Sequence, residues 1–498
     1  MLYSSLFALL LAPSLLLPPS RASTEPGVSV EFTDYGLEYF VTLAKHAFPR
    51  VLDNTSLPAQ QGSGYRVWDL RFLDVQEPLI EAHVLADQGI SFRVGLDRLL
   101  VVGRYEAGYG WLSASGDLEA SFSNFSFDSL LSLRAGPGGQ TVLSVQTCRA
   151  GVADAVVKFG GSWASSIINS FSGLIEDYLI DMLDKMMCLT AEEAVRVWST
   201  KPNECGTVGL SNVGDDVAIQ EANPFSLNFS LTEDPLFHNG AALMKLNGTM
   251  LYDHQPPRLQ VPPAKAILAN RTARMVSLVV TDLVPNTFFA HTFERRLSKL
   301  NQGVSVRTLP RLLSGPFDFF CRGCGATIET GLIEPPHISI SPESGVKLLM
   351  KGWIKLSLEG FFNRVELMKV RARLSANVFP YVECNRIVAN TLVNEFRVEP
   401  DPNTGFVSAM FGFFMEELFA ELNKFLPQQL APPLESELHL IFGEKGGIPL
   451  PSVCGVQFNN PALYYVKDAL VIDADFSYDT RPVIQKLRNM ISGVLQKE

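Results

Sequence analysis

The sequence predicts an α+β fold dominated by antiparallel sheet and built as two similar halves. Three observations carry this reading. Several stretches alternate apolar and polar residues with a period of two, the pattern of strands with one buried face. Only four segments follow helical spacing, a short one opening each half and a longer one near its far end. A proline-rich connector, His254-Gln255-Pro256-Pro257-Arg258-Leu259-Gln260-Val261-Pro262-Pro263, separates the halves as a fairly stiff spacer.

The elements follow in order. An apolar stretch from Leu6 to Leu17, interrupted by Pro13, is too short to span a bilayer at about 20 residues. Ser20-Arg21-Ala22 offers a small-residue cleavage site, so residues 1–22 are expected to be a signal peptide and the mature chain to be secreted or lumenal. Leu37, Phe40, Val41, Ala44 and Phe48 follow helical spacing until Pro49. Ile90, Phe92, Val94 and Leu96 alternate with polar or small residues as a strand. A longer helix runs through Ile167, Phe171, Leu174, Ile175, Tyr178, Met182 and Met186, with Glu176, Asp177, Asp181 and Asp184 at more polar positions. Beyond the connector, Phe288, Phe289, Phe293, Leu297 and Leu300 suggest a third helix and Met410, Phe414, Leu418, Leu422 and Phe425 a fourth. Met368–Leu374 and Leu470–Tyr478 alternate as strands. Phe32-Thr33-Asp34 and Val280-Thr281-Asp282 precede the opening helices of the two halves; alone this match would be chance, and it is the matched order of elements that suggests a duplicated unit. The expected domains are residues 23–250 and 264–498, joined by the connector at 251–263.

Of 498 residues, 47% are hydrophobic and only 19% charged, against about 25% charged in an ordinary soluble domain. Any function must account for that apolar excess. The 41 Lys and Arg against 52 Asp and Glu give a net charge of −11 without a basic run, which argues against nucleic acid as a partner. The acidity is uneven. Residues 23–250 carry 14 basic and 28 acidic residues, whereas residues 251–498 carry 26 and 24.

Seven cysteines in an oxidising compartment favour structural disulfides, with at least one left over. Cys321-Arg-Gly-Cys324 lacks the second pair or nearby histidines a zinc site needs, so no metal is expected. Sequons at Asn54, Asn124, Asn228, Asn247 and Asn270 suit a secreted glycoprotein. There is no HExxH, P-loop or dinucleotide fingerprint, and no cofactor is expected. Gly160-Gly161-Ser162-Trp163-Ala164 lacks the final glycine of a nucleophile elbow, and Ser162 is better explained as a helix N-cap. The chain is therefore read as a non-enzyme.

Against this background the chain resembles the family of bactericidal/permeability-increasing protein, lipopolysaccharide-binding protein and the plasma lipid transfer proteins. Gly36-Leu37-Glu38-Tyr39 resembles the opening of that family's first helix, and the proline connector has the same position. Pro335-Pro336-His337-Ile338-Ser339-Ile340 resembles a strand entry in the second half, and Gly447-Ile448-Pro449-Leu450-Pro451 a segment near the end. The resemblance implies two elongated domains in a boomerang, each a twisted antiparallel sheet wrapped around a long helix, joined by a central sheet. It implies a disulfide between Cys148 and Cys188, and an apolar lipid tunnel in each domain. Candidate walls are Phe40, Phe48, Ile167, Phe171, Ile175 and Met182 in the first, and Phe411, Phe414, Leu418 and Leu422 in the second. Helical spacing does not separate a tunnel wall from ordinary core.

Where the antibacterial relatives carry a Lys-rich hairpin, this chain has Arg104-Tyr105-Glu106-Ala107-Gly108-Tyr109-Gly110-Trp111. Tyr105, Tyr109 and Trp111 suit either aromatic docking on a lipid surface or packing back on the sheet. The implied function is a secreted carrier of phospholipid or related lipid that meets membranes or lipid particles peripherally. A lipopolysaccharide-binding immune role is the alternative, and a secreted lipid hydrolase using Ser162 a further one.

Overall fold

A six-stranded antiparallel sheet at the centre of the computed structural model draws strands from both halves of the chain. Described are residues 25–53, 55–109, 112–160, 165–200, 224–238, 240–265, 267, 273–296, 299, 301–305, 314, 325–359, 364–383, 386–401, 416–417, 419–426, 428, 448–449, 456–478 and 484. The expected signal peptide lies outside them. The central strand order is Leu236–His238, Ala241–Leu246, Val28–Thr33, Val276–Thr281, Ala469–Tyr478, Val456–Val466.

The register of this sheet obeys a local two-fold symmetry. Val28 faces Val280 and Phe32 faces Val276, leaving the Val30–Leu278 pair at the centre. Outward, Val28 faces Leu246 as Val276 faces Ala474, and Leu236 faces Leu243 as Tyr464 faces Val471. Hydrogen bonds repeat the relation. The Thr33 amide and hydroxyl both donate to the Met275 carbonyl at 3.1 Å, and the Thr281 amide and hydroxyl donate to the Gly27 carbonyl at 2.9 and 3.0 Å. Asp34 and Asp282 donate their amides to the carbonyls of Gly240 and Asp468, each in the left-handed region. The short Thr-Asp repeat thus marks two equivalent strand-to-helix switches. At each, a hydroxyl supplies a second donor where the ladder ends.

A larger sheet stands on each side. The first runs Gln60–Gly62, Tyr65–Leu73, Gly89–Tyr109, Leu112–Ala135, Thr141–Gly151; Leu79–Leu85 and Asp154–Phe159 pair with its two longest strands. The second runs Asn301–Ser305, Gly325–Leu332, Gly345–Glu359, Arg364–Glu383, Arg386–Pro400, Ile448–Pro449, with His337–Ser341 also pairing to Gly345–Glu359. Register shifts within both sheets, as at Trp68/Arg71 and Ser375/Ala376, add local twist and curl them. The alternations read from the sequence fall within these strands and within Ala469–Tyr478.

The helices lie on the inner faces. α1 (Asp34–Leu52) continues through Pro49, where a stop was expected. A proline in the last turn forfeits one amide bond, and the Asp53 amide closes the helix on the Pro49 carbonyl at 2.8 Å. α2 (Ser165–Thr200) extends well beyond Met186, through a segment rich in Ala and Glu. α3 (Leu283–Glu294) begins before Phe288 and ends short of Leu297 and Leu300, which lie outside the described residues. Its Pro285 sits in the first turn, where amides have no intrahelical partner to lose. Residues 416–426 form helix in the second half where described. The α+β class of two sheets and their helices about a shared central sheet is therefore the observed one.

Candidate functional site

In the first half, α2 turns Ile175, Leu179, Met182 and Leu183 onto the inner face of the sheet. They meet Val67, Leu70, Phe72, Leu99, Val101, Leu118 and Phe122, which alternate inward along their strands. The Cys148–Cys188 disulfide joins Thr141–Gly151 to α2, and the Ala150 amide donates to the Asp184 carboxylate at 3.0 Å beside it. Together these bonds fix the helix against the sheet.

α1 spans two environments. Val51 and Leu52 are buried in the first-half core, and Phe48 packs half-buried against it. Phe40 instead joins Phe32, Tyr39, Phe476 and Tyr478 at the central sheet, its ring 5.1 Å from that of Phe476. The Tyr39 hydroxyl accepts the Tyr478 amide at 3.0 Å. A Cβ on Gly36 would stand 2.8 Å from the Met275 carbonyl oxygen. The Gly-Leu-Glu-Tyr motif thus lets the first helix approach the second half's opening strand and then grips its last one.

The second half repeats the plan. Leu422, Phe425 and Leu426 cover Ile328, Ile354, Leu356, Met368, Val370 and Val398. Asn423 accepts the Val398 amide and donates to the Val398 carbonyl, at 2.7 and 3.3 Å. At the junctions with the central sheet, Leu37, Val84, Phe237 and Ala242 pack together on one side. On the other, Ile338, Ile340, Val346 and Leu348 meet Phe289, Tyr465 and Leu470, so Tyr465 takes the symmetric place of Phe237.

Titratable groups are few within these interiors. Burial and the neighbouring Asp473 carboxylate, 3.2 Å away, push the Tyr464 phenol up to about 12. Burial also raises Tyr465, whose hydroxyl donates to the Pro380 carbonyl at 2.6 Å. Among the described residues no group of three or more His, Cys, Asp and Glu is placed to hold a metal. No described helix is long and apolar enough to cross a membrane. Ser162, the one local hint of a nucleophile, lies outside the described residues.

The structure brings Phe48, Ile175 and Met182 into one interior and Leu422 into the other, while Phe40 belongs to the central aromatic cluster. Ile167 and Phe171 lie on α2, with only their backbone described; Phe411, Phe414 and Leu418 lie outside the described residues. Tyr105 departs from a surface role. It is 1% exposed, its hydroxyl donates to the Gly160 carbonyl at 3.1 Å and its ring meets Phe159 edge-on. It points to the inner face because it sits in register with buried Val67. The tip reading therefore passes to Tyr109, whose side chain is not described, and Trp111, outside the described residues. Asn124 is exposed with a positive φ, whereas Asn228 and Asn247 each accept the amide two residues on. Asn54 and Asn270 lie outside. Asn286 and Asn423, each bonded to both polar groups of one strand residue, escaped sequence reading because a lone polar residue on an apolar helix carries no period.

No family model matches the chain. It is 20% identical over 530 residues to nose resistant to fluoxetine protein 5 of Caenorhabditis elegans, covering 94% of this chain and 92% of that protein. It is 23% identical over 489 residues to bactericidal permeability-increasing protein of Rattus norvegicus, covering 91% and 94%. The crystal structure of lipopolysaccharide binding protein aligns with a TM-score of 0.53 at 18% identity, covering 91% of this chain and 99% of that one. The resemblance first read from short motifs thus extends along nearly the whole chain, and the fold is shared with that structure.

Proposed function

We propose that this chain, similar throughout to bactericidal permeability-increasing protein, is a secreted lipid carrier. It holds phospholipid-like amphiphiles between helix and sheet in each half and uses no catalytic step. The reading is supported chiefly by the first-half interior, where Phe48 stays half-buried beside a sealed cluster. Side chains that share their contacts with a removable apolar ligand have that character. It also accounts for the low charge content, since tunnel walls need apolar residues beyond those of a core.

The test is mass analysis of lipid extracted from the secreted protein. A phospholipid-like amphiphile in defined stoichiometry is expected. An empty protein with esterase activity abolished by Ser162→Ala would replace the carrier with a hydrolase.

A second reading, recognition of lipopolysaccharide, is favoured by the name of one similar protein, lipopolysaccharide binding protein. The excess of 28 acidic over 14 basic residues in positions 23–250 weighs against an anionic ligand on the first half. Competition between lipopolysaccharide and phospholipid for the purified protein separates the two readings.

A further inference from the structure

The outer face of the second-half sheet sets cations directly opposite cations. Arg373 faces Lys351 on one neighbouring strand and Arg397 on the other, and Lys355 faces Lys369 in a nearby row. Between these rows Trp353 faces Arg371, with its indole over Gly331 and the Lys369 ammonium 5.2 Å from its ring. This face is opposite the one that covers Leu422 and Phe425, because Ile354, Val370 and Val398 alternate to the inside.

Like charges directly opposite on antiparallel strands destabilise a sheet. The first-half sheet avoids them: Glu81, Arg93, Asp128 and Arg149 alternate in sign along one row of four strands. Arg66 there faces Glu106, and Arg104 faces Asp117. Cation rows on only one of two similar sheets call for a reason outside the sheet.

Carboxylates stand in and beside the rows, Glu399 opposite Arg371 and Glu329 opposite Lys355, without closing on the arginines. Glu399 lies 3.6 Å from Arg373, Asp401 3.8 Å from Arg371 and Glu395 3.6 Å from Arg397, all longer than a hydrogen bond. The lysines are held closer, Lys351 at 2.9 Å from Glu334 and Lys355 at 3.1 Å from Glu366. The three arginine side chains are 51–65% exposed, and exposed pairs of this kind are weak. Their guanidinium groups can therefore turn to an external phosphate at small cost, and they offer the bidentate geometry that phosphate favours.

We propose that this face docks the protein on an anionic phospholipid surface. Arg371, Arg373 and Arg397 take lipid phosphates, and Trp353 rests at the headgroup boundary. The charge distribution fixes the orientation: an anionic surface repels residues 23–250 and meets the molecule through its second half. This deepens the carrier reading by naming the surface such a carrier visits.

The test uses the full-length secreted protein in flotation with phosphatidylcholine vesicles, with and without phosphatidylglycerol, at rising salt. R371Q/R373Q/R397Q is expected to lose on the order of a hundredfold in affinity for the phosphatidylglycerol vesicles. Its salt dependence should flatten, while its lipid content stays unchanged. Arg373→Gln alone, the fallback should the triple variant not fold, is expected to lose about fivefold. The matched control R66Q/R71Q/R98Q on the first sheet should bind as wild type does. Equal binding by triple variant and wild type overturns the proposal. So does an equal loss in the control, or a loss that is the same with and without phosphatidylglycerol. An empty wild-type protein that still binds phosphatidylglycerol vesicles would refute the carrier reading and leave this docking face standing.

Discussion

Asn286 of α3 holds both backbone polar groups of Ile338. Its carboxamide oxygen accepts the Ile338 amide at 2.7 Å and its nitrogen donates to the Ile338 carbonyl at 2.9 Å. The side chain completes the hydrogen bonding of one residue of the short strand His337–Ser341, which follows Pro335-Pro336. Asn286→Ala leaves two buried backbone groups without these partners and is expected to cost about 2–4 kcal/mol. Urea denaturation measures it, with faster amide exchange at Ile338 as the local sign. An unchanged midpoint would mean that water replaces the carboxamide.

The Cys148–Cys188 bond closes a segment of 40 residues and anchors α2 to its sheet. Replacing both cysteines with serine releases that constraint on the unfolded chain. The loop length sets the loss at about 3–4 kcal/mol, read from urea midpoints under non-reducing conditions. A loss below about 1 kcal/mol would assign the anchoring to packing by Ile175, Leu179 and Leu183 instead.

Burial, and then the Asp468 carboxylate, raise the pKa of Asp282, with Lys265 and His337 acting in the opposite direction. A carboxyl whose folded pKa exceeds its unfolded one binds protons more readily when folded. Its penalty is therefore full above the folded pKa, shrinks as pH falls through it, and is gone below the unfolded value. Asp282→Asn should melt higher than wild type at pH 7, and the gap should close on acidification. A gap independent of pH would trace the effect to geometry rather than charge.

How much of this was legible in the chain depended on range. Ile90–Leu96 and Leu470–Tyr478 announce strands because one face of each is buried, and alternation is a local signal. The end of α2 was not legible: its apolar period fades after Met186, while Ala191, Glu192 and Glu193 favour helix and only Met187, Cys188 and Ala191 pack back on the core. Phe40 met its partners Phe476 and Tyr478 only in the fold, since nothing local couples residues so far apart. The Thr-Asp repeat was too short to weigh until the sheet placed both copies about one two-fold axis.

Tyr105 and the hairpin beyond it separate by what each loses. Tyr105→Phe removes the bond to Gly160 and should cost about 1 kcal/mol, and Tyr105→Ala about 3–5 kcal/mol, with no effect on lipid surfaces beyond lost folding. Y109S/W111S should leave the melting temperature unchanged and weaken binding to neutral vesicles. Vesicle binding that follows Tyr105 rather than the other pair would place the contact on the sheet and not at its tip.

Ile175 and Phe48 decide whether an apolar side chain in this interior is core or wall. Ile175 is 1% exposed between α2 and the sheet, so Ile175→Ala should remove about 2–4 kcal/mol of stability while bound lipid per protein holds. Phe48 is only half-buried beside the same cluster. Its truncation forfeits less packing within the protein, so Phe48→Ala should cost under about 2 kcal/mol. The larger effect should fall on the ligand: a wider space favours longer or bulkier acyl chains in the extracted lipid. Denaturation and lipid mass profiles on both variants give two independent axes. If Phe48→Ala shifts stability as far as Ile175→Ala and leaves the lipid profile untouched, Phe48 is core, and the tunnel lies elsewhere along α1 or is absent from this half.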